Sequence, residues 1–430
     1  MIAVGAAAPD FNAYLDEIES VGAETIRAGA DTSEYADFPL EEFSQRYARL
    51  ITLMQREGIT GIIATQEENV RYFTGYLTVL WISKFRPNVA ILPSDTSLPA
   101  GLVLPTQERG NAEITSWIGS PTIYPAQEPP VPHIVGALRE RGLDRGRIGV
   151  ELGFGQRLGM NQDQFYQLVH ELPDVQFVDA TPLMQAVRML KSDAEVDRLG
   201  HACAISESGT EAGWRVLTPG MTEREILAVM GSAMYARGAE MGTKPTYLAI
   251  LAGERWRLSN AVASDYAVKN GDLILVDGGA TYRGYTCDYI RQAAVGHPTQ
   301  QQQDWFEAVV EANDDAIAAV RPGVVCHDVY DAGLTSLEKK GIAKFNRANI
   351  IGHGIGMDVH EVPWIGAPGV YTSDTRIRSG MVVCIEPGVT APSPEAGPPG
   401  HFIVEDIVAV TDEGTRLLTK SLPKSLWITG

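Results

Sequence analysis

Carboxylates stand at the ends of apolar, strand-like runs in the second half of the chain, and their placement constrains the fold more than any other feature. Asp277 closes the run Leu273-Ile-Leu-Val276, and Glu386 closes Met381-Val-Val-Cys-Ile385. Glu405 separates His401-Phe-Ile-Val404 from Ile407-Val-Ala-Val410. An ionised carboxylate in a buried strand is costly unless it is paired or bound to a cation, so three such cases call for one shared explanation. Asp288 joins them. A hairpin turning about Tyr282-Arg283, just before Gly284, predicts that Asp277 and Asp288 are directly opposed, with β-carbons about 4.5–5.5 Å apart. Two acids so placed repel each other unless a cation lies between them. A solvated pair of strand-end aspartates is the competing reading of the hairpin alone.

His353 and His360 fall within Gly352-His353-Gly-Ile-Gly-Met-Asp-Val-His360-Glu-Val-Pro363. The glycines permit close backbone approach, and imidazole is both a common metal ligand and a proton carrier. His133, His170 and His201 have no such setting and read as ordinary core or surface groups. Asp277, Asp288, His353, Glu386 and Glu405 together offer four carboxylates and one imidazole. Four negative charges match two divalent ions. An oxygen-rich set with one nitrogen suits manganese, cobalt, iron or zinc better than copper, with manganese the first expectation.

Composition narrows the partners. The 430 residues carry 35 basic against 54 acidic side chains, a net charge of −19, which argues against nucleic acid as a partner. No apolar run approaches the ~20 residues that span a bilayer, and the first residues lack the basic and apolar regions of a secretory signal. Cys203, Cys287, Cys326 and Cys384 are scattered and form no CxxC pair, so a disulfide framework is not expected and a reducing cytoplasm is.

The length predicts more than one core. Residues 1–36, rich in Ala, Gly, Asp and Glu, read as a surface extension. Residues 37–188 read as an α/β unit: Leu40, Phe43, Tyr47, Leu50, Ile51 and Met54 recur at helical spacing up to Gly58, and strand candidates follow at 60–64, 88–92, 101–104, 147–151 and 175–178. Residues 189–430 read as an α+β unit. Ser192-Asp-Ala-Glu195 and Thr222-Glu-Arg-Glu225 are capping boxes that open helices, strands are expected at 246–251, 273–276 and 286–295, and helices at 301–320 and 326–340. Gly153-Phe-Gly-Gln-Arg-Leu-Gly159 has the spacing GxGxxxG, one residue longer than a dinucleotide loop, and reads as a turn.

At the acids and histidines the sequence resembles the pita-bread metallopeptidases, a family that includes aminopeptidase P, prolidase, methionine aminopeptidase and the metal-free creatinase. The resemblance rests on Asp277-Gly-Gly-Ala-Thr-Tyr-Arg-Gly-Tyr-Thr-Cys-Asp288-Tyr-Ile-Arg291, the segment 352–363, Ile385-Glu386-Pro-Gly388 and Val404-Glu405-Asp406, and it covers about 190–420. Asn69-Val-Arg-Tyr-Phe-Thr-Gly75 and Ile148-Gly-Val-Glu151 extend it, more weakly, to the family's smaller amino-terminal domain. It implies a creatinase-like two-domain α+β fold with a pita-bread catalytic domain. Asp277, Asp288, His353, Glu386 and Glu405 become the metal ligands, with Glu386 and His360 in catalysis. It further implies a homodimer in which Trp81-Ile-Ser-Lys-Phe-Arg86 reaches the active site, so that Trp81 and Arg86 contact substrate. Two positions depart from the pattern: Asn260 stands where peptidases and creatinase keep a substrate-contacting histidine, and Ile403 where an arginine is usual.

Three functions follow. The first is a metal-dependent hydrolase of a C–N bond in a short peptide or small amide, Xaa-Pro peptidase-like. The second, kept open by Asn260, is a lyase or amide hydrolase on a small carboxylate-bearing zwitterion such as dimethylsulfoniopropionate or ectoine. The third, a silent binding module, is opposed by retention of all five ligand positions.

Overall fold

The chain divides into two units, Met1–Arg188 and Met189–Gly430, in a computed structural model that describes residues 8–22, 36–240, 247–346, 348–393 and 395–429. Within the stretch read as an extension, α1 (Phe11–Ile18) is capped by Asp10, whose Oδ1 accepts from the Ala13 amide, and buries Phe11, Tyr14, Leu15 and Ile18. It packs on α2 (Leu40–Arg56) instead of lying free on the surface, and Arg56 ties the pair together by bonds to Glu17 and the Ala13 carbonyl. The periodicity over eight residues was too short to separate from loop. The remainder of that stretch, 1–7 and 23–35, lies outside the described residues.

The helical spacing of the Leu40 segment becomes the buried face of α2, with Phe43, Tyr47, Leu50, Ile51 and Met54 inside. The five strand candidates all form, as β1 (Gly61–Ala64), β2 (Val89–Pro93), β3 (Gly101–Pro105), β5 (Gly146–Val150) and β6 (Val175–Asp179). With β4 (Thr122–Tyr124) they make a mixed sheet of order β4-β3-β2-β1-β5-β6. Helices α3 (Glu67–Thr74), α4 (Arg109–Thr115), α5 (Val131–Glu140), α6 (Gln162–Glu171) and α7 (Thr181–Met189) complete this part of the chain. Apolar residues of α5 and α6 pack with Ile63, Ile91, Val103, Ile148 and Phe177 in one core. The segment 153–159 is a turn that precedes α6 by several residues.

In the second unit both capping boxes form, opening α8 (Asp193–Val216) and α9 (Glu223–Tyr235). Gly209 and Gly213 allow these helices to touch: a β-carbon there would meet Met234 at 2.3 Å and Met230 at 2.4 Å. Strands β7 (Tyr247–Ala252), β8 (Leu273–Gly279), β11 (Ile290–Val295) and β19 (Trp427–Thr429) form a sheet of order β19-β11-β8-β7. Ile226, Met230, Leu248, Ile250, Ile274 and Val276 lie in the core beneath it. A second sheet has the order β13-β12-β14-β17-β18, from β12 (Ile350–Gly354), β13 (Glu361–Gly366), β14 (Val382–Ile385), β17 (Asp406–Thr411) and β18 (Gly414–Leu417). Strands β15 (Gly388–Thr390) and β16 (His401–Ile403) pair separately between β14 and β17, and helices α10 (Gln300–Ala319) and α11 (Cys326–Lys339) pack against strands of the second sheet.

The hairpin after β8 corrects the expected register. Its turn is Arg283-Gly284, both at positive φ (48° and 82°), the two-residue geometry whose twist matches a hairpin. The small strands β9 (Thr281–Tyr282) and β10 (Tyr285–Thr286) pair across it. Asp277 therefore lies opposite Ile290, not Asp288. The strand expected over 286–295 is interrupted at 287–289, and Asp288 sits in that irregular stretch, diagonal to Asp277.

Candidate metal centre

Each of the five acids and imidazoles read as ligands comes from a strand or a strand end of the second unit. Asp277 is on β8, Asp288 just before β11, His353 on β12, Glu386 just after β14 and Glu405 just before β17. The two sheets thus bring together residues far apart in sequence. Ligand atoms of Asp277, Asp288 and Glu405 lie within 4.8 Å of one another. His353 Nε2 is 3.6 Å from Glu386 Oε1, 3.8 Å from Glu405 Oε1 and 3.9 Å from Asp288 Oδ2. The diagonal placement of Asp277 and Asp288 still joins their carboxyl groups, because both side chains point to one face of the hairpin.

The chemistry of this cluster fits divalent cations. Asp288 Oδ1 and both Glu405 oxygens are buried without a hydrogen-bond partner, a state that costs several kcal/mol per charge unless a cation is bound. Without one, each acid holds its proton to a higher pH than an ordinary carboxyl does. Burial raises Asp277 to about 6, and burial followed by Asp277 raises Glu386 to about 8. Asp288 and Glu405 are pushed well above the carboxylate range, by burial first and then by the neighbouring acids. His353 Nδ1 is 2.8 Å from the Gly354 carbonyl, so it carries the proton and Nε2 turns its lone pair toward the acids. Burial lowers His353 to about 3. A cation placed between the Nε2 lone pair and the three acids satisfies all four groups.

His360 is exposed beside the cluster, with a ring nitrogen within 4.8 Å of ligand atoms of Asp288 and His353. Its ring is 4.5 Å from that of His353 and stacks on Trp364 at 5.9 Å. Glu361, beside it, is fixed by Lys191 at 2.9 Å. Burial lowers the imidazole below its ordinary value. Asn260 lies in a loop at φ 50°, and its Oδ1 accepts from the Tyr247 hydroxyl at 3.1 Å. Tyr247 is two residues from Ala249, which pairs with Asp277, so it shares the face that carries Asp277. Burial and then Asp277 and Asp288 push its phenol up to about 12. Tyr247 and Trp364 were not expected from sequence. Alternation along β7 and β13 could have placed both on the face of a ligand, once those strands were aligned. Ile403 joins Leu251, Leu275 and Ile290 in an apolar cluster.

Trp81 and Arg86 belong to the amino-terminal unit. Trp81 packs edge-on to Tyr76 at 6.1 Å, and Arg86 Nε donates to the Ala126 carbonyl. Phe85 is 88% exposed.

The sequence and the fold both find relatives among known proteins. Residues 197–412 match the model of metallopeptidase family M24, and residues 46–190 match the creatinase/prolidase N-terminal domain. The Xaa-Pro dipeptidase of Pyrococcus horikoshii is 32% identical over 270 residues, covering 61% of this chain and 73% of that protein. The putative dipeptidase YkvY of Bacillus subtilis is 29% identical over 383 residues, 89% of this chain and 99% of that one. The solved structure of an Xaa-Pro dipeptidase from Bacillus anthracis superposes with a TM-score of 0.77 at 24% identity, covering 90% of this chain and all of that one, which speaks to the fold. The chain belongs to metallopeptidase family M24, with the pita-bread fold and a creatinase-type amino-terminal domain. It is a metal-dependent hydrolase of the peptidase kind, and the family implies divalent metal ions. The alternative of a zwitterion lyase is not favoured by these relatives.

Proposed function

We propose that this protein cleaves short peptides of the Xaa-Pro type, using two divalent ions, manganese first, held by Asp277, Asp288, His353, Glu386 and Glu405. The observation that carries the reading is the set of unpartnered, buried oxygens on Asp288 and Glu405, in two carboxyl groups that each reach within 4 Å of His353 Nε2. Bound there, the ions would supply Lewis acidity, lowering the pKa of a water and polarising a carbonyl. The chain's own groups do the rest. The Glu386 carboxylate, made ionic by neighbouring positive charge, takes a proton from the attacking water and returns it to the leaving nitrogen. The His360 N–H donates to the oxygen on which charge develops, its ring oriented by the Trp364 stack. Asn260, its amide held by Tyr247, offers an uncharged donor at the substrate side. Substrate contacts from Trp81 and Arg86, in a homodimer, belong to the same reading, as does a cytoplasmic location, which suits four buried free thiols. Among the described residues no helix is long and apolar enough to cross a membrane.

Elemental analysis of protein purified without chelator, followed by a dipeptide panel, tests this. About two ions per chain and a preference for Xaa-Pro over other dipeptides are expected. A metal content near zero after supplementation with manganese, cobalt, iron and zinc overturns the ligand assignment; equal rates on all dipeptides overturn the substrate.

A further inference from the structure

Behind the acids, one buried carboxamide touches the backbone just before each of the two glutamates. Asn313, in the middle of α10 and fully buried, donates from Nδ2 to the Ile385 carbonyl at 2.6 Å and lies 3.5 Å from the Val404 carbonyl. Those peptides lead directly into Glu386 and Glu405. The other end of the amide faces Lys424, whose Nζ donates to Asn313 Oδ1 at 2.6 Å. An ammonium has no acceptor, so the atom facing it must be the oxygen, and the NH₂ is thereby fixed toward the two carbonyls. Lys424 is held in turn by Asp314 at 2.5 Å and Asp406 at 2.9 Å. It lies beyond the residues matched by the family model.

A polar side chain in a helix interior that is fully buried costs free energy unless its bonds are made, and here the bonds run to the two strand ends that carry ligands. Those ends come from different elements, the exit of β14 and the entry to β17, so their relative position is not set by one peptide. Arg291 bonds the Glu405 carbonyl at 2.7 Å and the Asp406 carboxylate at 2.7 Å; it anchors one glutamate alone. Asn313 reaches both.

We propose that Asn313, oriented by Lys424, is a positioning residue that sets the spacing of Glu386 and Glu405 and so tunes metal affinity. The inference rests on the metal-centre reading above. Outer groups that orient ligands typically change metal affinity about 10–100-fold when altered. The sharp variant is Asn313→Asp: it keeps the shape and the acceptor for Lys424, but turns the donor facing Ile385 and Val404 into an acceptor. Titration of the full-length, metal-stripped protein with manganese against a chelating indicator should show affinity weakened ~10–100-fold. Lys424→Met should shift it the same way by less, since the amide can then rotate, and Lys424→Arg should restore it. A purely structural role would lower melting temperatures and leave affinity unmoved at temperatures well below the transition. Wild-type affinity in Asn313→Asp overturns the proposal; should that variant not fold, wild-type affinity in Lys424→Met does so. Wild-type protein that bound no manganese would overturn the metal reading, and this inference with it.

Discussion

Stripped of metal, the protein should lose stability as pH rises through neutrality, and the size of the loss follows from Glu386. Burial and Asp277 raise its carboxyl from 4.5 to about 8. Between those values the folded chain holds a proton that the unfolded chain has released, so unfolding free energy declines with pH by up to about 1.4 kcal/mol per unit. From pH 6.5 to 8, as Glu386 itself begins to ionise, the integrated loss is on the order of 1–2 kcal/mol. Asp288 and Glu405, raised well above their ordinary range, add in the same direction. Asp277, raised to about 6, contributes mainly below this window. His353, lowered to about 3, has the opposite sign: its stabilisation is lost as pH falls below about 6.5, so it opposes the trend by a few tenths of a kcal/mol. For a unit of this size, about 2–4 °C accompanies each kcal/mol, and Glu386 alone should lower the transition by ~2–8 °C. Bound cations displace these protons and keep all four acids ionised, which removes the slope and adds stabilisation by mass action. Thermal melts of chelator-stripped and manganese-loaded protein at pH 6.5, 7.25 and 8 provide the measurement. Glu386→Gln, stripped, should melt with a shallower pH dependence than wild type. A stripped wild type whose melting temperature stays level or rises across that window, or a loaded protein that falls equally, would refute the reasoning.

Two further outcomes are expected. His360→Ala should keep its metal and lose turnover by ~10²–10³-fold, as removal of one oxyanion donor does; parallel loss of metal in elemental analysis would make His360 a ligand instead. Trp81→Ala and Arg86→Ala should raise KM or abolish turnover with metal content normal, and sedimentation should show a dimer. A monomer with full activity, unchanged by either substitution, would contradict the substrate role of that segment.

The acids were legible because their cost is local. A carboxylate at the end of Leu273–Val276 or Met381–Ile385 conflicts with its own neighbours in the chain, and that conflict is visible without knowing the partner strand. The two capping boxes were legible for the same reason, since Ser192 with Glu195 and Thr222 with Glu225 satisfy amides within one turn. The hairpin register was not. It depended on Arg283, a residue with a β-carbon, accepting positive φ beside Gly284, and sequence gives that preference to glycine and asparagine. One residue of shift in the turn moved Asp288 from opposite Asp277 to diagonal.

The supporting groups are illegible for a different reason. Asn313 meets Ile385 across 72 residues and Lys424 across 111, and no periodic pattern marks either. In α10 an asparagine followed by Asp314 and Asp315 reads as part of a solvated polar face, yet it is the one of the three that is fully buried. The candidate acid ligands announce themselves through charge that has no local answer. The groups proposed to position them are neutral or paired, so each is locally consistent, and only the folded arrangement shows what they touch. That asymmetry explains why all five ligand candidates could be read from the chain while the amide and ammonium behind Glu386 and Glu405 could not.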